Sequence, residues 1–334
     1  MASIIEIKNI SKEFKILNHR SGLIGSIKDL FSRDYKTVSA VNNINMNVEQ
    51  GEIVGFLGPN GAGKSTTIKI MTGVLEPTSG EILIGGICPY KNRTRNAQEI
   101  GVVFGQRSQL WWALPLIESF HILKEIYKIS DERYNAMISL YKELIDIDDL
   151  LYKPVRQMSL GQRTLSDILA AFLHEPKIVF LDEPTIGLDV SMKAKIRKLI
   201  LTMNQKLNTT IILTTHDMGD VEAVCKRIVI IDKGKVIYDN GINQLISYFD
   251  SYRTLKICID EENLENVAKK IENDFPEFLI TSNDDWISIL VDEKKEKVID
   301  ILKTIQQKYT IRDMQLNDIP TEEIVKKIYD GDLK

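Results

Sequence analysis

Nine consecutive residues, Gly58-Pro59-Asn60-Gly61-Ala62-Gly63-Lys64-Ser65-Thr66, fit the pattern GxxxxGK[ST], a backbone cradle for phosphate oxygens. Glycines let such a loop curl with its N–H groups pointing inward and no Cβ in the way. Lys64 would then reach the β- and γ-phosphates, and the Ser65 hydroxyl would ligate magnesium. A chance match in a glycine-rich turn is the plain alternative. Context weighs against it, because an apolar run over 53–57 precedes the loop and helical spacing follows over 66–75. The sequence predicts a nucleotide site.

A second constellation lies 120 residues downstream. Residues 178–181 are apolar on both faces, the mark of a strand buried in a parallel sheet, and the run ends in Asp182-Glu183. Ligands of such sheets bind at the carboxyl edge, so this acidic pair is expected beside the phosphate loop. Asp182 would hold magnesium through its water shell, and Glu183 would orient and deprotonate an attacking water. In isolation the pair would read as two solvated acids. Beside a phosphate loop it reads as a hydrolytic site.

The elements that must position these residues follow from periodicity. Strands are expected over 4–10, 38–48, 53–57, 81–84, 100–104, 178–181, 211–214, 227–232 and 235–238, with Lys233-Gly234 as a hairpin turn. Residues 108–151 read as helical, and a further helix follows Ser159. Between the first two strands an insertion at 17–37 carries helical apolar spacing over 23–31. After about residue 245 the order is β-α-β-β-α-β, with strands over 252–259, 278–282, 286–291 and 310–316, matching a ferredoxin-like split motif. A last helix is expected over 321–328.

Composition is consistent with this plan. The 334 residues are 43% hydrophobic and 27% charged, with a formal net charge of -4, which excludes collagen, coiled-coil rods and wholesale disorder. Mild acidity argues against an obligate nucleic-acid binder. No apolar run approaches the ~20 residues of a membrane span, and the start lacks the plan of a signal peptide. Cys88, Cys225 and Cys258 form neither a disulfide framework nor a zinc spacing, which points to a reducing, cytosolic compartment.

Further motifs carry a resemblance. Met158-Ser159-Leu160-Gly161-Gln162-Arg163 is similar to the LSGGQ-R signature of the ATP-binding cassette (ABC) ATPases, with Leu160 in place of Gly and Met158 in place of Leu. Gln106 resembles the Q-loop glutamine, Gly187-Leu188-Asp189 the D-loop, and Thr214-Thr215-His216-Asp217 the switch-histidine loop. Phe14 stands at the position of the aromatic that stacks on adenine, with Tyr35 a competing candidate because the insertion shifts the spacing. The resemblance covers roughly residues 1–240 with the motifs in order.

That resemblance implies an α/β fold, a P-loop ABC core of mixed sheet and helical subdomain, followed by a small C-terminal α+β domain. The division is 1–240, with the helical, signature-bearing subdomain about 107–165, and 245–334 as an accessory domain. The implied cofactors are ATP and Mg2+, with Ser65, Gln106 and Asp182 on the metal. Glu183 and His216 would be catalytic. The loop from Gly58 to Thr66, Phe14, Gln106, Ser159, Gly161, Gln162 and Asp189 would contact nucleotide. In the family, Ser159 and Gly161 act across a head-to-tail dimer that sandwiches two ATP molecules, so a homodimer is expected, with a heterodimer the alternative.

The phrases around 54–64 and 182–189, the insertion, the Gln106-Arg107-Ser108-Gln109-Leu110-Trp111-Trp112 segment and the C-terminal extension resemble ATPases of ABC-2-type exporters. An integral-membrane permease would dock near Gln106 to Phe120, where Trp111 and Trp112 either line the groove or belong to the core. No nucleic-acid partner is expected. The place implied is the cytoplasmic side of a bacterial cell membrane, peripherally attached. A soluble ABC ATPase acting on ribosomes, nucleic acid or another protein complex is the alternative function.

Overall fold

The computed structural model describes residues 3–17, 35–105, 108–261, 263–283 and 285–330. The chain divides into two units, Met1–Gly241 and Ile242–Lys334.

The first unit opens with β1 (Ser3–Leu17) and β2 (Tyr35–Glu49), an antiparallel hairpin. Its inner half alternates as a half-buried strand should: Ile5, Ile7, Ile10, Val41 and Ile44 are buried. Both arms run further than the periodicity foretells, to Leu17 and from Tyr35, where they form a ribbon with little burial on either face. Most of the expected insertion, with its short helix, lies outside the described residues. β3 (Ile53–Leu57), α1 (Lys64–Met71) and β4 (Ser79–Ile84) follow, and β4 completes the three-stranded sheet β2-β1-β4.

Next come α2 (Arg93–Glu99), β5 (Ile100–Phe104), α3 (Leu116–Tyr127), α4 (Asp131–Leu144), α5 (Asp148–Leu151) and α6 (Leu160–Phe172). The expected helical stretch over 108–151 is therefore three helices, which begin only at Leu116. β6 (Ile178–Asp182), α7 (Val190–Leu207), β7 (Thr210–Thr214), α8 (Met218–Val224), β8 (Arg227–Asp232) and β9 (Lys235–Gly241) finish the unit. The second sheet has the order β5-β6-β7-β3-β8-β9, parallel except for β9. Central strands β3, β6 and β7 are apolar on both faces because both faces are covered. Lys233 and Gly234 have φ of 47° and 77°, the left-handed pair that closes a tight hairpin.

One apolar core joins the two sheets. Ile5, Ile44 and Ile82 from the antiparallel sheet meet Phe56, Phe180 and Ile212 from the parallel one, with Ile68 and Met71 of α1 between. Each such side chain, fully buried, contributes about 1.5–3 kcal/mol.

The second unit holds α9 (Ile242–Tyr248), β10 (Tyr252–Ile259), α10 (Leu264–Asp274), β11 (Leu279–Asn283), β12 (Trp286–Asp292), α11 (Val298–Gln306), β13 (Ile311–Asp318) and α12 (Thr321–Asp330). Its sheet is antiparallel in the order β11-β12-β10-β13, the strand order of a ferredoxin-like split motif. Leu255, Ile257 and Ile289 pack against Val267, Ile271 and Ile301 of α10 and α11.

Candidate functional site

Three strand ends converge. β3, β6 and β7 are neighbours in register, so Phe56 lies opposite Thr214 and Thr214 opposite Asp182. Everything that leaves those strands at the carboxyl edge is delivered to one crevice.

From β3 the chain enters the phosphate loop. Gly63 has φ 108° and caps α1; a Cβ there would collide with the Ala40 carbonyl of β2, so only glycine fits. The Thr67 hydroxyl donates to the Gly63 carbonyl at 3.0 Å and locks the first turn of the helix. The Lys64 ammonium donates to the carbonyls of Gly58 and Pro59, which places it inside the curl of the loop. Burial pulls the Lys64 pKa below its usual value, opposed by the nearby carboxylates of Glu183 and Asp182. The helix N-terminus, the ammonium and the loop amides make this an anion cradle.

From β6 come the acids. Asp182 accepts the Thr214 hydroxyl at 2.5 Å, which leaves its other oxygen for a cation. A cleft of about 640 Å³ is lined by Ser65, Lys69, Asp182 and Glu183. Ser65 and Asp182 thus supply two hard oxygen donors beside a phosphate cradle, which fits magnesium, an ion that keeps most of its waters and takes few protein ligands. Glu183 sits at φ 51°, a left-handed conformation unusual for a residue with a Cβ, held by N–H donation to the Thr214 carbonyl at 2.9 Å. That bend brings its Oε1 within 3.4 Å of His216 Nδ1, and the imidazole is 65% exposed.

From β7 the chain passes Thr215 and His216. Thr215 and Thr185 both donate to Oδ2 of Asp220, which is 1% exposed and also accepts from Arg197 Nε at 2.6 Å. This buried carboxylate ties the segment after Glu183 to the segment carrying His216. Asp217 is held by Lys193, whose hydrogen bond lowers its pKa. Sequence reasoning set Thr214 only within the switch-histidine loop, with no role of its own, and missed Asp220 and Arg197, because their roles depend on register and packing between distant segments.

Residues 159–163 open α6. Ser159 is an exposed N-cap: its Oγ accepts the Gln162 N–H at 3.2 Å, and Gln162 Oε1 accepts the Ser159 N–H at 3.1 Å, a reciprocal capping box. Gly161 is buried, and a Cβ there would stand 2.7 Å from Met192 Cγ of α7. Asp189 caps α7, accepting the Met192 N–H at 2.9 Å. Leu160 is half exposed, with Cδ2 at 3.3 Å from where a Gly187 side chain would begin.

Phe14 pairs with Val38 in the outer hairpin and is partly exposed, and Tyr35, opposite Leu17, lies three residues further out along β2. Gln106 and Arg107 lie outside the described residues. Just past them, Ser108 Oγ and the Gln109 N–H donate to Asp167 Oδ1 of α6 at 2.9 and 3.0 Å. Burial pushes the Asp167 carboxyl up to about 6 against those two hydrogen bonds. Trp112 is 56% exposed, which overturns the core reading of that residue, and its ring lies 5.1 Å from the Arg163 guanidinium.

Comparison with known proteins agrees with this geometry. Residues 41–186 match the ABC transporter family. The ABC transporter ATP-binding protein NatA of Bacillus subtilis (strain 168) is 32% identical over 215 residues, 64% of this chain and 87% of that protein. Longer relatives match over a smaller share: of ABC transporter A family member 1 of Dictyostelium discoideum, 33% identical, the chain spans 29%. Among solved structures, cbiO1 from Clostridium perfringens, part of the ABC transporter complex cbiONQ, aligns with a TM-score of 0.60 at 25% identity, over 83% of this chain and 97% of that one. A dimeric ATP-binding cassette in a post-hydrolysis state with ADP and Pi aligns with a TM-score of 0.58 at 25% identity, over 71% of this chain and 98% of that one.

Proposed function

Because this chain belongs to the ABC transporter ATP-binding proteins and is an ATPase of that family, we propose that it powers a separate membrane permease, in the direction of export. What supports the catalytic part is a cleft lined by Ser65, Asp182 and Glu183, with the Lys64 ammonium near both carboxylates and His216 Nδ1 3.4 Å from Glu183.

In this reading Lys64 and the loop amides hold the β- and γ-phosphates of ATP, and Phe14 stacks on the adenine. Magnesium, held by Ser65, Asp182 and Gln106, supplies charge neutralisation at the phosphates. Glu183 accepts a proton from the attacking water, and His216 steadies both that carboxylate and the γ-phosphate. The capped start of α6, with Ser159, Gly161 and Gln162, holds the γ-phosphate of a second copy from the opposite side, and Asp189 lines the same junction. Closure of the head-to-tail dimer then follows from contacts made only with ATP in place.

Exposed Trp112 beside Arg163 supports a docking site for the permease on the helical segment. Among the described residues no helix is long and apolar enough to cross a membrane. Export rests on the likeness of residues 54–64, 106–112 and 182–189 to ABC-2-type exporter ATPases. The test is purification of the tagged chain from detergent-solubilised bacterial membranes. Stoichiometric recovery of a polytopic partner supports the proposal; recovery solely with ribosomes or nucleic acid overturns it in favour of a soluble ABC ATPase.

A further inference from the structure

The C-terminal unit carries a sheet edge that its own fold leaves open. β13 pairs with β10 along its inner edge, and among the described residues no strand pairs with its outer edge. All seven residues over 312–318 are exposed. Met314 and Leu316, 56% and 54% exposed, stand opposite Ile257 and Leu255, so they share the face that α10 and α11 cover over the neighbouring strand. An apolar row thus continues beyond the covered strand to the rim of the sheet.

This rim also lacks the usual guards against pairing. The stretch Met314-Gln315-Leu316-Asn317 holds no charge, proline or glycine, and the register irregularity against β10 falls before it, at the Arg312 end. The opposite edge, β11, is shorter and ends in Thr281-Ser282-Asn283.

We propose that β13 pairs antiparallel with β13 of a second copy of this chain, about a two-fold axis through Gln315. With the axis normal to the sheet, partners must share a face, so the two residue numbers of each pair sum to an even value. Centring on Met314 sets Leu316 against Arg312, and centring on Leu316 sets Met314 against Asp318. Centring on Gln315 alone sets Met314 against Leu316 twice; Arg312, the residue skipped at the register irregularity, has its guanidinium on Cys258 Sγ at 3.0 Å and takes no part in this ladder. Apolar meets apolar, a pairing that stabilises a ladder.

The register has a measurable signature. Directly opposed residues have Cα atoms about 4.5–5.5 Å apart, within the range a disulfide spans. The experiment uses the full chain in EDTA without nucleotide, so that nucleotide-driven association does not contribute and the outcome is independent of the proposed ATP site. In a Cys88→Ser background, Gln315→Cys should oxidise to a covalent dimer about tenfold faster than Leu279→Cys on the opposite edge. Met314→Lys with Leu316→Lys should raise the dimer dissociation constant about tenfold or more by analytical ultracentrifugation, with the far-ultraviolet spectrum unchanged. A parent chain that stays monomeric at high concentration, or equal cross-linking at Gln315→Cys and Leu279→Cys, overturns the proposal.

Discussion

Thr214 donates its hydroxyl hydrogen to Asp182 at 2.5 Å, and its Oγ1 also lies 3.1 Å from the Glu183 N–H. One side chain on β7 therefore fixes both acids at the end of β6. Thr214→Val should lower magnesium-dependent ATP hydrolysis about 10–100-fold, the usual cost of losing a group that orients a metal ligand. Thr214→Ser should restore most of it. Initial rates over a magnesium titration check this, and an unchanged rate in the valine variant would remove Thr214 from the role.

Glu183→Gln keeps the shape of the bend and the hydrogen-bond reach to His216 while removing the proton acceptor. Turnover should fall about 10²–10⁴-fold with ATP affinity retained, and the ATP-bound dimer should persist on gel filtration. Normal turnover would assign the base elsewhere.

Asp167 and His174 give opposing pH dependences. Asp167 has its pKa raised from 3.8 to about 6, so its contribution to stability is full below pH 4 and is lost as pH rises through 6. His174, stacked on Tyr127 and buried as the neutral ring, has its pKa lowered from 6.5 to about 4. Its contribution is full above pH 6.5 and is lost as pH falls through 4. The two nearly offset each other in the parent. Asp167→Asn, whose amide oxygen still accepts from Ser108 and Gln109, should gain up to ~3 kcal/mol at pH 7 and nothing at pH 4. His174→Gln should lose less stability than the parent between pH 6.5 and 4. Urea unfolding across that range reads both slopes.

Trp112 is exposed, so Trp112→Ala should shift the unfolding midpoint little and leave ATP binding intact. Loss of the co-purifying membrane partner is the expected readout. Loss of ATP binding instead would contradict a docking role.

Thiol labelling separates the three cysteines. Cys225 is buried with its pKa pushed up to about 12, and Cys258 is buried against the Arg312 guanidinium. Cys88 alone should react quickly in the native chain.

The site was legible where one stretch of backbone does the chemistry. Gly58 to Thr66 and Asp182-Glu183 are read from spacing because a phosphate cradle and a strand-end acid are local objects. Thr214 and Asp220 are not, since what they hold lies 32 to 35 residues away and depends on strand register and helix packing. Hairpin arms beyond Ile10 escaped because a ribbon exposed on both faces leaves no alternation to read. α7 was missed despite Ile196, Leu199, Ile200 and Met203 at helical spacing, because its long polar face lowers the apolar signal.

The left-handed turn at Lys233-Gly234 links two parts of the nucleotide crevice. Gly234 donates its N–H to the Ala62 carbonyl at 2.9 Å and accepts from the Asn42 N–H at 2.8 Å, clipping the phosphate loop to β2. Phe14, on β1, pairs with Val38 of that same strand. With Phe14 as the proposed base-stacking ring, the clip would make a calliper of the hairpin, one jaw the aromatic ring and the other the phosphate cradle. A molecule with a flat base at one end and a triphosphate at the other would then be gauged by its length as well as by its charge.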